Sequence, residues 1–185
     1  KDGEAITGAE AKELVFEELA TTDAALYTVS ISNEAGTVES VPAEVIVHVP
    51  ITIVQQPVEA RVIEGETATF TVEAQGTEPI EYQWRFNSVE IEGGTGPVLT
   101  IPNASKANEG SYQVVMKNPA GTLVSEEIKV TVVQPITITQ QPVAEHILRQ
   151  DQSLLLEVVA SGSQPISYQW HRDDVSIEGA NSFRY

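Results

Sequence analysis

The chain has 185 residues, 27 of them Asp or Glu and 10 Lys or Arg, for a formal charge of -17. A field of that sign repels phosphate backbones and anionic lipid surfaces, so nucleic acid is not an expected partner. With 41% hydrophobic and 20% charged residues the chain can bury a core, and with no cysteine that core cannot lean on disulfides, a composition that leaves the redox compartment open.

In chain order, the first apolar alternation is Tyr27, Val29 and Ile31, ending at Asn33-Glu34-Ala35-Gly36. Val45-Ile46-Val47-His48-Val49 then runs through Pro50 into Ile51-Thr52-Ile53 with no Gly/Ser linker, which predicts a last strand leading through one stiff residue into a next first strand. Ala68, Phe70, Val72 and Ala74 alternate with Thr69, Thr71 and Glu73, the period of a half-buried strand. Trp84 follows the turn signal Gly76-Thr77-Glu78-Pro79, and Glu92-Gly93-Gly94-Thr95-Gly96-Pro97 marks a second turn. Tyr112, Val114 and Met116, then Ile128, Val130 and Val132, give two further inward sets separated by Asn118-Pro119-Ala120-Gly121. No run of about 18 apolar residues occurs, so membrane insertion is not expected in this segment.

Self-similarity organises these elements. Pro50-Ile51-Thr52-Ile53 returns as Pro135-Ile136-Thr137-Ile138, 85 residues on, and Tyr82-Gln83-Trp84 returns as Tyr168-Gln169-Trp170, 86 on. Tyr27-Thr28-Val29 matches Tyr112-Gln113-Val114, again 85 apart. The expected units are 1–49 (later strands), 50–134 (complete) and 135–185 (earlier strands). Short strands at this spacing predict an all-β chain of tandem sandwiches, one complete and two partial, in a linear array.

The unit resembles an I-set-like immunoglobulin domain of the kind found in bacterial multi-domain surface proteins. The resemblance rests on Gly65-Glu66, Trp84, Asn108-Glu109-Gly110-Ser111-Tyr112 and Asn118-Pro119-Ala120-Gly121. It implies that Trp84 and Trp170 are core tryptophans and that Tyr112 and Tyr27 form tyrosine corners. It also implies that Val72 and Val114 stand at the family's two disulfide positions, with Val158 and Val29 at the same places in the partial copies. Losing such a bridge costs about 2–5 kcal/mol, which packing of valines against tryptophan would have to offset.

No site of catalytic type is legible. His48, His146 and His171 fall at unrelated repeat positions, and HExxH, GxSxG and P-loop patterns are absent. Asp173-Asp174, Glu126-Glu127 and Glu17-Glu18 lack the spacing of a calcium loop and read as solvated faces. Asn103-Ala104-Ser105 is a formal glycosylation acceptor. Leu155 and Val159 are expected to face outward where the preceding copy has Thr69 and Glu73, which makes them candidates for a lateral contact.

The expectation is a non-catalytic, cofactor-free structural repeat of an extracellular or cell-surface rod or filament. Its principal partner is the protein itself. The halves 1–49 and 135–185 are complementary, so a fibre arises by head-to-tail completion of split sandwiches or as one continuous repeat polypeptide. Residues 1 to about 14 occupy the same repeat positions as 171–185, which slightly disfavours strand exchange because one strand would be supplied twice. The alternative is an adhesin or glycan-binding module acting on a surface protein or glycan through loops at a sandwich tip, where Phe86 and Phe183 are the aromatic candidates.

Overall fold

The computed structural model describes residues 1–185. Apart from two short 3-10 turns, Thr21–Asp23 and Lys106–Asn108, every regular element is a strand. Between residues 50 and 134 they form a sandwich of two sheets. In one sheet the order is Val89–Glu90, Glu81–Phe86, Gly110–Asn118, Ile128–Val133, Ala60–Ile63, with Gly121–Val124 also paired to Gly110–Asn118. The last pairing of the path, Ile128–Val133 with Ala60–Ile63, is parallel. Facing this sheet are Thr52–Gln55 paired with Glu73–Gln75, and Ala68–Thr71 paired with Val98–Ile101.

Alternation along the strands explains the sandwich. Ala68, Phe70 and Val72 are buried while Thr69, Thr71 and Glu73 are exposed, and Ile128, Val130 and Val132 are buried beside exposed Lys129 and Thr131. Trp84, Val114, Met116 and Val132 are at 0% exposure and Val72 at 1%. Full burial of an aliphatic side chain contributes about 1.5–3 kcal/mol, so this cluster is the main stabilising element of the unit. Polar anchors fix its geometry: the Trp84 indole N–H donates to the Gly96 carbonyl at 2.9 Å, and Gln83 Nε2 donates to the carbonyls of Trp84 and Ile91. Ser125 bridges two adjacent strands, accepting from Val114 N–H at 3.0 Å and donating its own N–H to the Val114 carbonyl at 2.9 Å.

The flanking segments repeat these contacts at the sequence period. Trp170 Nε1 donates to the Ser182 carbonyl at 2.8 Å, and Gln169 Nε2 reaches the carbonyls of Trp170 and Ile177. Val29 N–H donates to Ser40 Oγ at 3.1 Å as Val114 does to Ser125. Thr137–Gln140 pairs with Val159–Ser161 through the same register shift as Thr52–Gln55 with Glu73–Gln75.

In residues 1–49 the strands are Ala25–Tyr27 with Ala43–Val45, and Ser30–Asn33 with Gly36–Glu39. The expected strand through Val49 stops at Val45. In the central unit the equivalent stretch is held by its parallel neighbour Ala60–Ile63, and no strand pairs with residues 46–49. Of the flanking residues expected in cores, Val29 is 50% exposed, and Val158 and Trp170 are half-buried.

Candidate functional site: the inter-repeat junction

The most connected polar arrangement lies where residue 49 enters the central sandwich. Pro50 favours an extended conformation at the residue before it, and Ile51 is buried in the core, so Val49 is held at the sandwich tip. Val49 N–H donates to Thr77 Oγ1 at 2.7 Å, and the Val49 carbonyl accepts from Thr77 N–H at 3.1 Å and from Asn118 Nδ2 at 2.9 Å. Asn118, only 6% exposed, also donates to the Thr77 carbonyl at 3.1 Å. Its Oδ1 accepts from the N–H groups of Ala120 and Gly121 at 3.0 and 3.1 Å. One amide thus ties the entering segment at Val49, the Gly76-Thr77 loop and its own hairpin turn together.

Gly76 suits the closeness of this contact. A Cβ there would stand 3.0 Å from Asn118 Nδ2 and 3.2 Å from both Ile51 Cα and the Pro50 carbonyl oxygen. The second junction repeats the loop half: Gln134 N–H donates to Ser163 Oγ at 2.7 Å, and Ser163 N–H donates to the Gln134 carbonyl at 3.1 Å. At Gly162 a Cβ would lie 3.1 Å from the Pro135 carbonyl oxygen. Asn33 repeats the turn half, with its Oδ1 accepting from Ala35 N–H at 2.8 Å.

A second polar lock closes the opposite tip. Glu109 Oε1 accepts from Lys106 Nζ at 2.7 Å and from Val132 N–H at 2.8 Å. These two bonds, the lysine's first, hold its carboxyl below the usual carboxylate range.

The remaining candidates do not converge. His48, His146 and His171 are each exposed, and no three His, Asp or Glu side chains cluster closely enough to hold a metal ion. Asp173 and Asp174 occupy the left-handed turn, φ 52° and 65°, of the hairpin joining His171–Arg172 to Val175–Ser176, where the central unit has Asn87 and Ser88. Phe86 is half-buried on a strand with its ring 4.8 Å from that of Tyr112, so it is not a loop platform for a sugar. Phe183 is 45% exposed beneath the Arg184 guanidinium at 5.0 Å. Asn103 is exposed, whereas Ser105 of the same triplet is engaged with Asn108 Oδ1 at 3.0 Å. Leu155 and Val159 are 59% and 41% exposed. No helix is long and apolar enough to cross a membrane.

The linkerless junction was expected from the sequence, but the loop and asparagine that bond to it were not, although a signal was present. Gly76-Thr77 and Gly162-Ser163 recur as a glycine followed by a hydroxyl residue, and Asn33 and Asn118 each stand three residues before a glycine.

Among known proteins, the chain is 30% identical over 180 residues to the muscle M-line assembly protein unc-89 of Caenorhabditis elegans, covering 89% of this chain and 2% of that protein. It is 26% identical over 175 residues to the cell adhesion molecule Dscam1 of Drosophila melanogaster, covering 86% of this chain and 8% of that protein. The chain therefore spans a small fraction of these relatives. A solved structure of titin domains I67-I69, an E-to-A variant, superposes with a TM-score of 0.57 at 25% identity over 70% of this chain and 49% of that one. Residues 50–118 match the immunoglobulin domain family, and the chain carrying them folds as tandem immunoglobulin-like sandwiches.

Proposed function

We propose that this chain is a non-catalytic structural stretch of an extracellular or cell-surface rod or filament, in which the units 1–49, 50–134 and 135–185 follow one another and set reach and stiffness. The linkerless junction carries this reading. At Val49 and again at Gln134, both backbone groups of the last residue before the junction proline are bonded to the Gly-hydroxyl loop of the next unit. Such a junction restricts bending where a Gly/Ser linker would allow it. Similarity to an assembly protein of muscle and to a cell adhesion molecule supports a mechanical or cohesive role.

Electron microscopy of the native material tests the proposal: rods with a regular repeat are expected, and compact dispersed particles would overturn it. Continuous repeat polypeptide and head-to-tail completion between copies are two forms of the same reading. Mass spectrometry of the denatured rod separates them, because the first gives one long chain and the second many short ones. Leu155 and Val159 are assigned to a lateral contact with a second copy; charged residues at both positions should disperse bundled rods in negative stain, and unchanged bundles would remove the assignment.

The exposed Phe183 ring beside Arg184 favours a second reading, a glycan-binding surface module. Saccharide binding by the native chain that is lost in Phe183→Ala would carry it.

A further inference from the structure

We propose that Gly76, Thr77 and Asn118 form a socket that recognises the last residue of the preceding repeat and fixes the angle between consecutive repeats. The socket's ligand is the backbone of the segment that follows the preceding repeat's last strand: one N–H and one C=O, followed by a proline. The inference deepens the structural reading above and rests on consecutive repeats, though not on where the parent protein resides.

The chemistry selects each member. Val49 presents one donor and one acceptor. Thr77 answers both, through Oγ1 for the N–H and its own N–H for the carbonyl. Pro50 has no N–H, so the residue after the gripped one brings no unmet donor into the tip. Gly76 leaves the space in which the Asn118 amide reaches the Val49 carbonyl.

Asn118 is the member whose chemistry is most demanding. A carboxamide can donate and accept at once. Its two donated bonds go out to Val49 and Thr77, and its two accepted bonds come from its own turn, at Ala120 and Gly121. The outward pair spans 69 and 41 residues of sequence, so it is a contact between units and loops and not a local turn device. The partial repetition at Gly162-Ser163 and at Asn33 indicates that each repeat carries the same two parts.

The two roles of Asn118 can be separated. In Asn118→Asp an ionised carboxylate still accepts from Ala120 and Gly121, but it loses both donors and sets negative charge against two carbonyl oxygens. Thr77→Val independently removes the acceptor for Val49 N–H while keeping the branched shape. Because the chain has no cysteine, Val38→Cys and Val89→Cys, at positions 69% and 70% exposed, give a unique pair of spin labels across the junction.

In the full chain the unsubstituted junction is expected to give one narrow inter-label distance distribution, and Asn118→Asp a broadened one. Amide exchange at Val49 and Thr77 should rise about tenfold, equivalent to about 1.4 kcal/mol, while the buried Val114 amide keeps its protection. If Val114 also loses protection, Asn118→Asp has loosened the sandwich itself, and Thr77→Val decides: broadening with Val114 intact supports the socket, and an unchanged distribution overturns it. A distribution already broad before substitution also overturns the socket, while the non-catalytic repeat reading would still stand on microscopy of the native material.

Discussion

The Tyr112 hydroxyl donates a 2.9 Å hydrogen bond to the carbonyl of Asn108, and Tyr27 repeats it on Asp23 at 2.8 Å. In the central unit the ring lies between those of Phe70 and Phe86, at 5.7 and 4.8 Å, so the bond pins the 3-10 turn Lys106–Asn108 onto the core. Tyr112→Phe keeps the ring and strands the carbonyl. The expected cost is about 1–2 kcal/mol, read as a lower urea midpoint with an unchanged slope. Burial also pushes the Tyr112 phenol above its usual value of 10.0. The sign follows: its contribution is fully present below about pH 10 and is lost as pH rises through the folded value, so alkaline unfolding should be less steep in Tyr112→Phe.

Acid acts through Glu109. Its carboxyl is held below the ordinary 4.5 by the Lys106 hydrogen bond first and the Val132 N–H second. A lowered folded value means stability that is present above about pH 4.5 and disappears as pH falls through the folded value. Glu109→Gln should therefore be less stable than the parent chain at pH 7, with the difference shrinking below pH 4.5. Urea titrations at pH 7 and pH 3 check this, and a difference constant across that range would rule the lock out.

Much of the sandwich was legible because strand burial is a local property. The alternation around Phe70, Val114 and Val130 states which side chains turn inward without reference to distant sequence. The polar contacts of the junction were not, because the partners of Asn118 lie 69 and 41 residues away and a single asparagine carries no mark of its outward donors. Phe86 was mistaken for a loop aromatic because its cover, Tyr112, arrives only through strand pairing. The acidic pair Asp173-Asp174 is a turn device, since both residues adopt left-handed angles that Asp tolerates better than most side chains.

Gly110 opens the long strand Gly110–Asn118 at φ 155°, where a Cβ would lie 2.6 Å from the Phe86 ring and from Asn87 Oδ1. The same Asn87 oxygen accepts from Ser111 N–H at 3.0 Å, an arrangement repeated between Asp2 and Leu26 at 2.9 Å. Gly110→Ala must therefore displace Phe86 from Tyr112 or break the Asn87 contact. Overpacking of this kind costs about 1–3 kcal/mol. Thermal unfolding should show the loss, and Gly121→Ala serves as a control for backbone conformation, because it has a similar φ of 149° and no atom within 4 Å of its Cβ.

Val72 lies between the strands Ala68–Thr71 and Glu73–Gln75 and Val114 within Gly110–Asn118 of the opposite sheet, both essentially without solvent exposure and both in the core cluster that holds Trp84. If they stand where the family places its bridge, the backbone is already shaped for one, and the double variant Val72→Cys, Val114→Cys should oxidise without distorting the sandwich. Closing a loop of about 40 residues removes enough entropy from the unfolded chain to stabilise by roughly 4 kcal/mol, against which stands the loss of valine packing around Trp84. The net expectation is a gain of about 2 kcal/mol in the oxidised form and a loss in the reduced form. Melting curves taken with and without reductant, with the bridge verified by mass, measure both signs on one sample. A reduced form as stable as the parent chain would show that valine packing around Trp84 contributes little, and failure to oxidise would place the two side chains out of disulfide geometry.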